Sequence, residues 1–75
     1  MNRDKIKAIM AQVFKLSVEE VADDASQQTL SAWDSLAHLN LIVALETDFD
    51  ISFEPEEIAE MTSLPKVETA LAAKL

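Results

Sequence analysis

The chain contains no glycine, although average usage would place about five in this length. Every reversal that needs positive φ must then be made by Asp, Asn or a residue held under strain. A glycine-rich loop that cradles phosphate is also excluded. Against that restriction stands a clear helical rhythm. Ile6, Ile9, Met10, Val13 and Phe14 recur at i, i+3, i+4, i+7 and i+8, which makes one apolar stripe on a helix of about four turns. Hydrophobic residues make up 49% of the chain, and at this spacing they support a folded core over a disordered acidic chain.

The spacing continues into three further helices. Ser17-Val18-Glu19-Glu20 has capping-box spacing and starts a short turn. Asp23 to Ala32 is polar and reads as a long ordered loop, with Val21 and Leu30 as its anchors. A second principal helix is expected to begin at Asp34 or Ser35 and to run to about Asp48. Its apolar residues, Leu36, Leu39, Leu41, Ile42, Val43, Ala44 and Leu45, go nearly all the way round at 100° per residue. One face can pack on the first helix, and the rest must meet another helix, a bound apolar group or a partner. Phe49, Ile51 and Phe53 alternate with polar residues, but nothing pairs with them, so they form an extended connector. Pro55 followed by Glu56 and Glu57 marks a short third helix. Ser63 caps a last helix with Pro65 in its first turn and Val67, Leu71 and Leu75 on its buried stripe. The fold class is all-α: three main helices plus one short helix, with a long loop between the first two, in a single domain over residues 1–75.

Charge narrows the function. The net charge is −8 on 8.3 kDa, which repels nucleic acid and anionic membrane surfaces. It favours fast, salt-sensitive encounter with basic patches on other proteins. From Leu16 through Pro65 there is no Lys or Arg, while twelve Asp and Glu fall in that interval. Without Cys there is neither a disulfide framework nor a thiolate metal site. No apolar stretch approaches the roughly 20 residues of a membrane span, so a soluble, cytoplasmic monomer is expected.

Asp34-Ser35-Leu36 sets a hydroxyl at the start of an apolar helix in this acidic neighbourhood. Ser35 and the sole histidine, His38, stand one helical turn apart. A nucleophilic triad would also need an orienting acid and an oxyanion hole, and so small a bundle offers no cleft for a substrate. His38 is instead expected on the surface near Ser35. Asp48, Asp50, Ser52 and Glu54 share the spacing that opens a calcium loop. However, Phe53 and Ala59 occupy the positions that need glycine and a closing acid. No metal site and no catalytic residue are therefore expected. The plainest structural role for Ser35 is a helix N-cap.

Trp33-Asp34-Ser35-Leu36-Ala37-His38-Leu39, followed by Leu41 to Glu46 and Asp48-Phe49-Asp50-Ile51, resembles the acyl carrier protein family. The likeness covers essentially the whole chain in the family's order of elements. It implies 4′-phosphopantetheine, taken from coenzyme A by a partner phosphopantetheinyl transferase and attached to Ser35, with Asp34 and Leu36 presenting the turn. The terminal thiol of the arm would hold acyl groups as thioesters. Metal-assisted docking of the transferase, where it occurs, would use Asp34. The resemblance also implies docking of acyl-loading, acyl-modifying and acyl-transfer enzymes through Leu36, Asn40, Val43, Glu46 and Thr47, extended by Glu56, Glu57 and Glu60. Leu41, Leu45, Phe53, Ile58 and Met61 are either lining for an acyl cleft or plain core.

The chain also departs from the family pattern. Trp33 stands where fatty-acid carriers usually have glycine, and Asn40 and Thr47 replace their acids. This favours a dedicated carrier for a specialised pathway, with a short or polar cargo. Fatty-acyl, polyketide and aminoacyl or peptidyl cargo all remain open. An unmodified acidic adaptor that binds a protein through the second helix is the competing function.

Overall fold

The computed structural model describes residues 2–75. Its elements are α1 (Asn2–Phe14), a 3₁₀ turn (Val18–Glu20), α2 (Ser35–Phe49), α3 (Pro55–Glu60) and α4 (Leu64–Lys74). There is no strand among the described residues, only an isolated antiparallel bridge between Ser26 and Ser63. The architecture is thus the expected helical one, with three main helices, one short helix and a long loop before α2.

The stripe on α1 buries Ile6, Ile9, Met10, Ala11 and Phe14 against α2 and α4. Val13 is only partly buried at the edge of the core. On α2 the buried residues are His38, Leu41, Ile42 and Leu45, which share one side of the helix. Leu64, Val67 and Leu71 of α4 are fully buried. Each such aliphatic side chain contributes about 1.5–3 kcal/mol of transfer free energy. Leu75, expected on the α4 stripe, lies beyond the helix and is 65% exposed, because α4 stops one residue earlier.

The missing glycines are replaced in two places. Lys15 has φ 59° and Asp50 has φ 54°, so each turns the chain out of a helix in the left-handed region. In both cases the next N–H bonds five residues back across the helix end: Leu16 to the Ala11 carbonyl at 2.8 Å and Ile51 to the Glu46 carbonyl at 3.1 Å. Asp tolerates this conformation well, whereas Lys is held there at a cost.

The loop from Val21 to Asp34 is ordered by its own hydrogen bonds and by three core anchors. Val21, Ala25 and Trp33 are almost fully buried, while Leu30 is only partly so. Trp33 is the largest buried side chain; its rings lie against Phe14 at 5.4 Å between centroids. The Ser26 hydroxyl and Thr29 knit the loop tip, as the Thr29 hydroxyl accepts the Ser26 N–H at 3.0 Å. Gln27 N–H to Thr62 O and Leu64 N–H to Ala25 O then fasten it to the start of α4. On the far side, Arg3 of α1 forms a two-pronged pair with Glu68 of α4, its Nη2 at 2.6 Å from Oε1. Lys7 pairs with Asp23 of the loop.

Candidate functional site

Ser35 is the first residue of α2 and is exposed. The cap of the helix is Asp34, whose Oδ1 accepts the Ala37 N–H at 2.8 Å. The reading of Ser35 as the helix cap is therefore corrected. The carboxylate one residue earlier takes the bond, and the serine side chain is released from that duty. No hydrogen bond to the Ser35 hydroxyl forms within the described residues. The N–H groups of Ser35 and Leu36 likewise find no acceptor there, which leaves two free donors at the positive end of a fifteen-residue helix.

His38 is not the surface residue expected. It is 8% exposed and both ring nitrogens are engaged. Nδ1 accepts the Trp33 indole N–H at 3.0 Å. Nε2, which carries the ring proton, donates to the Ile58 carbonyl at 2.8 Å. Neither nitrogen is available to take a proton from Ser35, so the two residues do not form a nucleophilic pair. Sequence spacing placed them near one another but gave no sign that Trp33 and Ile58 would claim the ring.

The outer face of α2 carries Leu36, Asn40, Val43 and Thr47, all exposed. Leu36 is 70% and Val43 60% exposed. Leu39, 56% exposed, belongs to the same stripe although the sequence reading left it out. At 100° per residue it falls within about 60° of Leu36, which was the signal available. Three large apolar side chains therefore face solvent opposite the buried side of α2.

The carboxylates divide into two sets. Glu46 is turned inward: its Oε2 accepts the Phe53 N–H at 2.8 Å and ties the end of α2 to the connector. Glu57 accepts the Glu54 N–H at 2.7 Å and pairs with Lys74 at 2.9 Å. These bonds, that of the Glu54 N–H first, hold the Glu57 carboxyl below its ordinary range. Glu56 and Glu60 are exposed and form no ion pair among the described residues. Of the acids expected to dock partners, the two that face outward without an ion pair thus sit on α3, while α2 presents an apolar stripe beside exposed Asp48.

Leu41, Leu45 and Phe53 are buried and Ile58 is partly so, and they are core rather than the walls of an open cleft; Met61 is buried as well but borders a groove. Neither of the two cavities described is lined by an α2 residue. The larger, about 520 Å³, is an open groove between α3 and α4, floored by Met61, Pro65, Ala70 and Ala73 and edged by Glu57, Glu60, Lys66 and Thr69. Among the described residues no three His, Asp or Glu side chains converge on a common point.

Comparison with known proteins sets this geometry in a family. The family described as "Phosphopantetheine attachment site" matches residues 4–71. The chain is 31% identical over 75 residues to polyketide-8 synthase acyl carrier protein 2 of Streptomyces avermitilis, covering all of this chain and 86% of that one. The chain belongs to the acyl carrier protein family. It is also 32% identical over 62 residues to the acyl carrier protein of Buchnera aphidicola, covering 83% of this chain and 78% of that protein. The solution structure of a holo acyl carrier protein from Geobacter metallireducens superposes with a TM-score of 0.85 at 30% identity, over 96% of this chain and 83% of the other. A carrier of this family bears phosphopantetheine, and its four helices and long loop are the family's fold.

Proposed function

We propose that Ser35 is the residue to which 4′-phosphopantetheine is attached. On this reading residues 1–75 form one monomeric cytoplasmic carrier domain that delivers acyl groups to partner enzymes. One observation supports this above the rest: a hydroxyl that is exposed and unengaged at the start of a helix already capped by its neighbour. The residues present fit a phosphodiester. The free N–H groups of Ser35 and Leu36 and the positive end of α2 face a phosphate on Ser35. With the helix capped independently, esterifying Ser35 removes no bond from the fold.

The serine needs no activation by its own chain. In the transfer, Ser35 Oγ forms the new bond to the arm's phosphorus and the bond to the adenosine bisphosphate part of coenzyme A breaks. The hydroxyl proton leaves to a base on the phosphopantetheinyl transferase. Asp34 and Leu36 hold the turn at which that enzyme docks. Once attached, the arm supplies a terminal thiol that carries the acyl group as a thioester.

Docking uses two kinds of surface in this reading. Leu36, Leu39 and Val43, with Asn40 and Thr47, give the partner an apolar strip along α2. Glu56 and Glu60 of α3 offer charge to basic patches. Glu46 and Glu57 stabilise the connector and α3, so they take a smaller share in docking than resemblance alone implied. The packed state of Leu41, Leu45 and Phe53 favours a short or polar cargo held outside the core.

The test is direct acyl loading. Purified apo chain is incubated with acetyl-coenzyme A, magnesium and a broad-specificity transferase, then treated with hydroxylamine. The expected result is a mass increase of one acetyl-phosphopantetheine, of which hydroxylamine removes only the acetyl part. A chain that binds its partners through α2 yet gains no mass beside a working carrier control would be the unmodified adaptor instead.

A further inference from the structure

The placement of His38 gives it a role in presenting Ser35. Ser35 lies between two side chains that point into the molecule, Trp33 two residues before it and His38 three after. Trp33 is 1% exposed and packs on Phe14 of α1. Its indole N–H is held by His38 Nδ1 at 3.0 Å, and the two rings lie 6.0 Å apart, tilted by 31°. The other ring nitrogen reaches across to α3, where Nε2–H donates to the Ile58 carbonyl at 2.8 Å. The start of α2 is thus pinned to α1 on one side and to α3 on the other, with the serine displayed between the pins.

The link to α3 matters because α3 has little else. It is six residues long and buries none of its own side chains completely. Phe53 before it and Met61 after it are buried, and Glu57 pairs with Lys74. Of these ties, the His38 bond is the one that joins α3 directly to the first turn of α2. Glu56 and Glu60 ride on α3, so the His38–Ile58 bond sets their position relative to Ser35.

We infer that His38 is a positioning residue. It fixes the serine and the α3 carboxylates in one arrangement, which the transferase reads together when it docks. The inference rests on the assignment of Ser35 as the attachment residue. A protein surface held ready in its bound form docks without first losing conformational freedom. Loss of the link therefore weakens capture of the carrier and leaves the chemical step, carried out by the transferase, nearly unchanged.

Three variants separate the two bonds. His38→Gln keeps an N–H donor at the reach of Nε2 for Ile58. His38→Asn keeps an acceptor at the place of Nδ1 for Trp33, and His38→Leu keeps neither. Each is assayed with coenzyme A, magnesium and transferase over a range of carrier concentration. The indole N–H resonance of Trp33, the only tryptophan, is recorded alongside. His38→Leu and His38→Asn, which both lack the bond to Ile58, are expected to raise KM for the carrier about tenfold, the effect of losing that hydrogen bond. Their kcat should stay within about twofold of wild type. His38→Gln is expected to restore KM, and in His38→Asn the indole resonance is expected to stay near its wild-type position despite the raised KM. Wild-type KM in a folded His38→Leu overturns the inference, as does rescue by Asn rather than Gln. If His38→Leu does not fold, the Gln and Asn variants alone decide. Attachment of the arm to Ser35→Ala would instead strike at the Ser35 assignment, a failure distinct from any change in KM.

Discussion

At the scale of single residues, the division of labour between Asp34 and Ser35 organises the site. Asp34 holds the helix while Ser35 stays unengaged, so the two substitutions should separate cleanly. Asp34→Ala is expected to cost about 1 kcal/mol through loss of the cap. Ser35→Ala is expected to stay within about 0.5 kcal/mol of wild type, with urea unfolding as the measurement. An equal loss for both would return the capping role to the serine. Lys15 supplies a second case. It sits in the left-handed region at φ 59°, a conformation that costs a side chain with Cβ about 1–2 kcal/mol. Against this, glycine forfeits about 0.5–1 kcal/mol of chain entropy. Lys15→Gly should therefore raise the thermal midpoint by a few degrees, since 1 kcal/mol is worth roughly 4–8 °C in a domain this small. A lowered midpoint would mean that the Lys15 side chain contributes more than its backbone costs. With no glycine in the chain, the sequence left any such position to Asp, Asn or a strained residue, without naming which. It did not mark Lys15, whose conformation is imposed by the Leu16 N–H closing on Ala11.

At the scale of elements, the helices were legible because their apolar residues repeat at helical spacing and their ends carry Asp34, Pro55 and Ser63. What lay outside that reading depends on contacts distant along the chain. Trp33 and His38 adjoin the serine in sequence, and His38 looked like a surface neighbour of it. They are core because Phe14 and the Ile58 carbonyl, far away in sequence, meet them there. Glu46 seemed a docking acid, yet the Phe53 N–H, seven residues on, turns it inward. Glu57 shows how such bonds govern the response to acid. Its folded-state pKa lies below the ordinary 4.5, first through the Glu54 N–H and then through Lys74. A carboxylate lowered in the folded state contributes stability above its ordinary pKa and loses it as pH falls through the lowered folded value. Thermal midpoints of wild type and Glu57→Gln should therefore differ near neutral pH and converge once pH drops well below 4.5. Curves that stay parallel down to about pH 2 would show that the α3 bonds add nothing through the charge of Glu57.

Across the whole molecule, a net charge of −8 meets two surfaces of different character. Twelve acids lie in a stretch without a cation between Leu16 and Pro65, and self-repulsion among them opposes the fold. Raising sodium chloride from about 10 mM to about 500 mM shortens the screening length from about 30 Å to a few Å, so it should raise the thermal midpoint. A falling midpoint would mean that the Arg3–Glu68 and Lys7–Asp23 pairs outweigh the repulsion. The same charge suits encounter with basic partners, while the Leu36, Leu39 and Val43 strip suits close contact once they meet. The central claim is that this fold displays Ser35 for modification by another enzyme, and one measurement addresses it most directly. Intact masses of wild type and Ser35→Ala are compared before and after incubation with coenzyme A, magnesium and a broad-specificity transferase. The account predicts one added phosphopantetheine on wild type and none on the variant. Addition to both chains, or to neither beside a working carrier control, would contradict it.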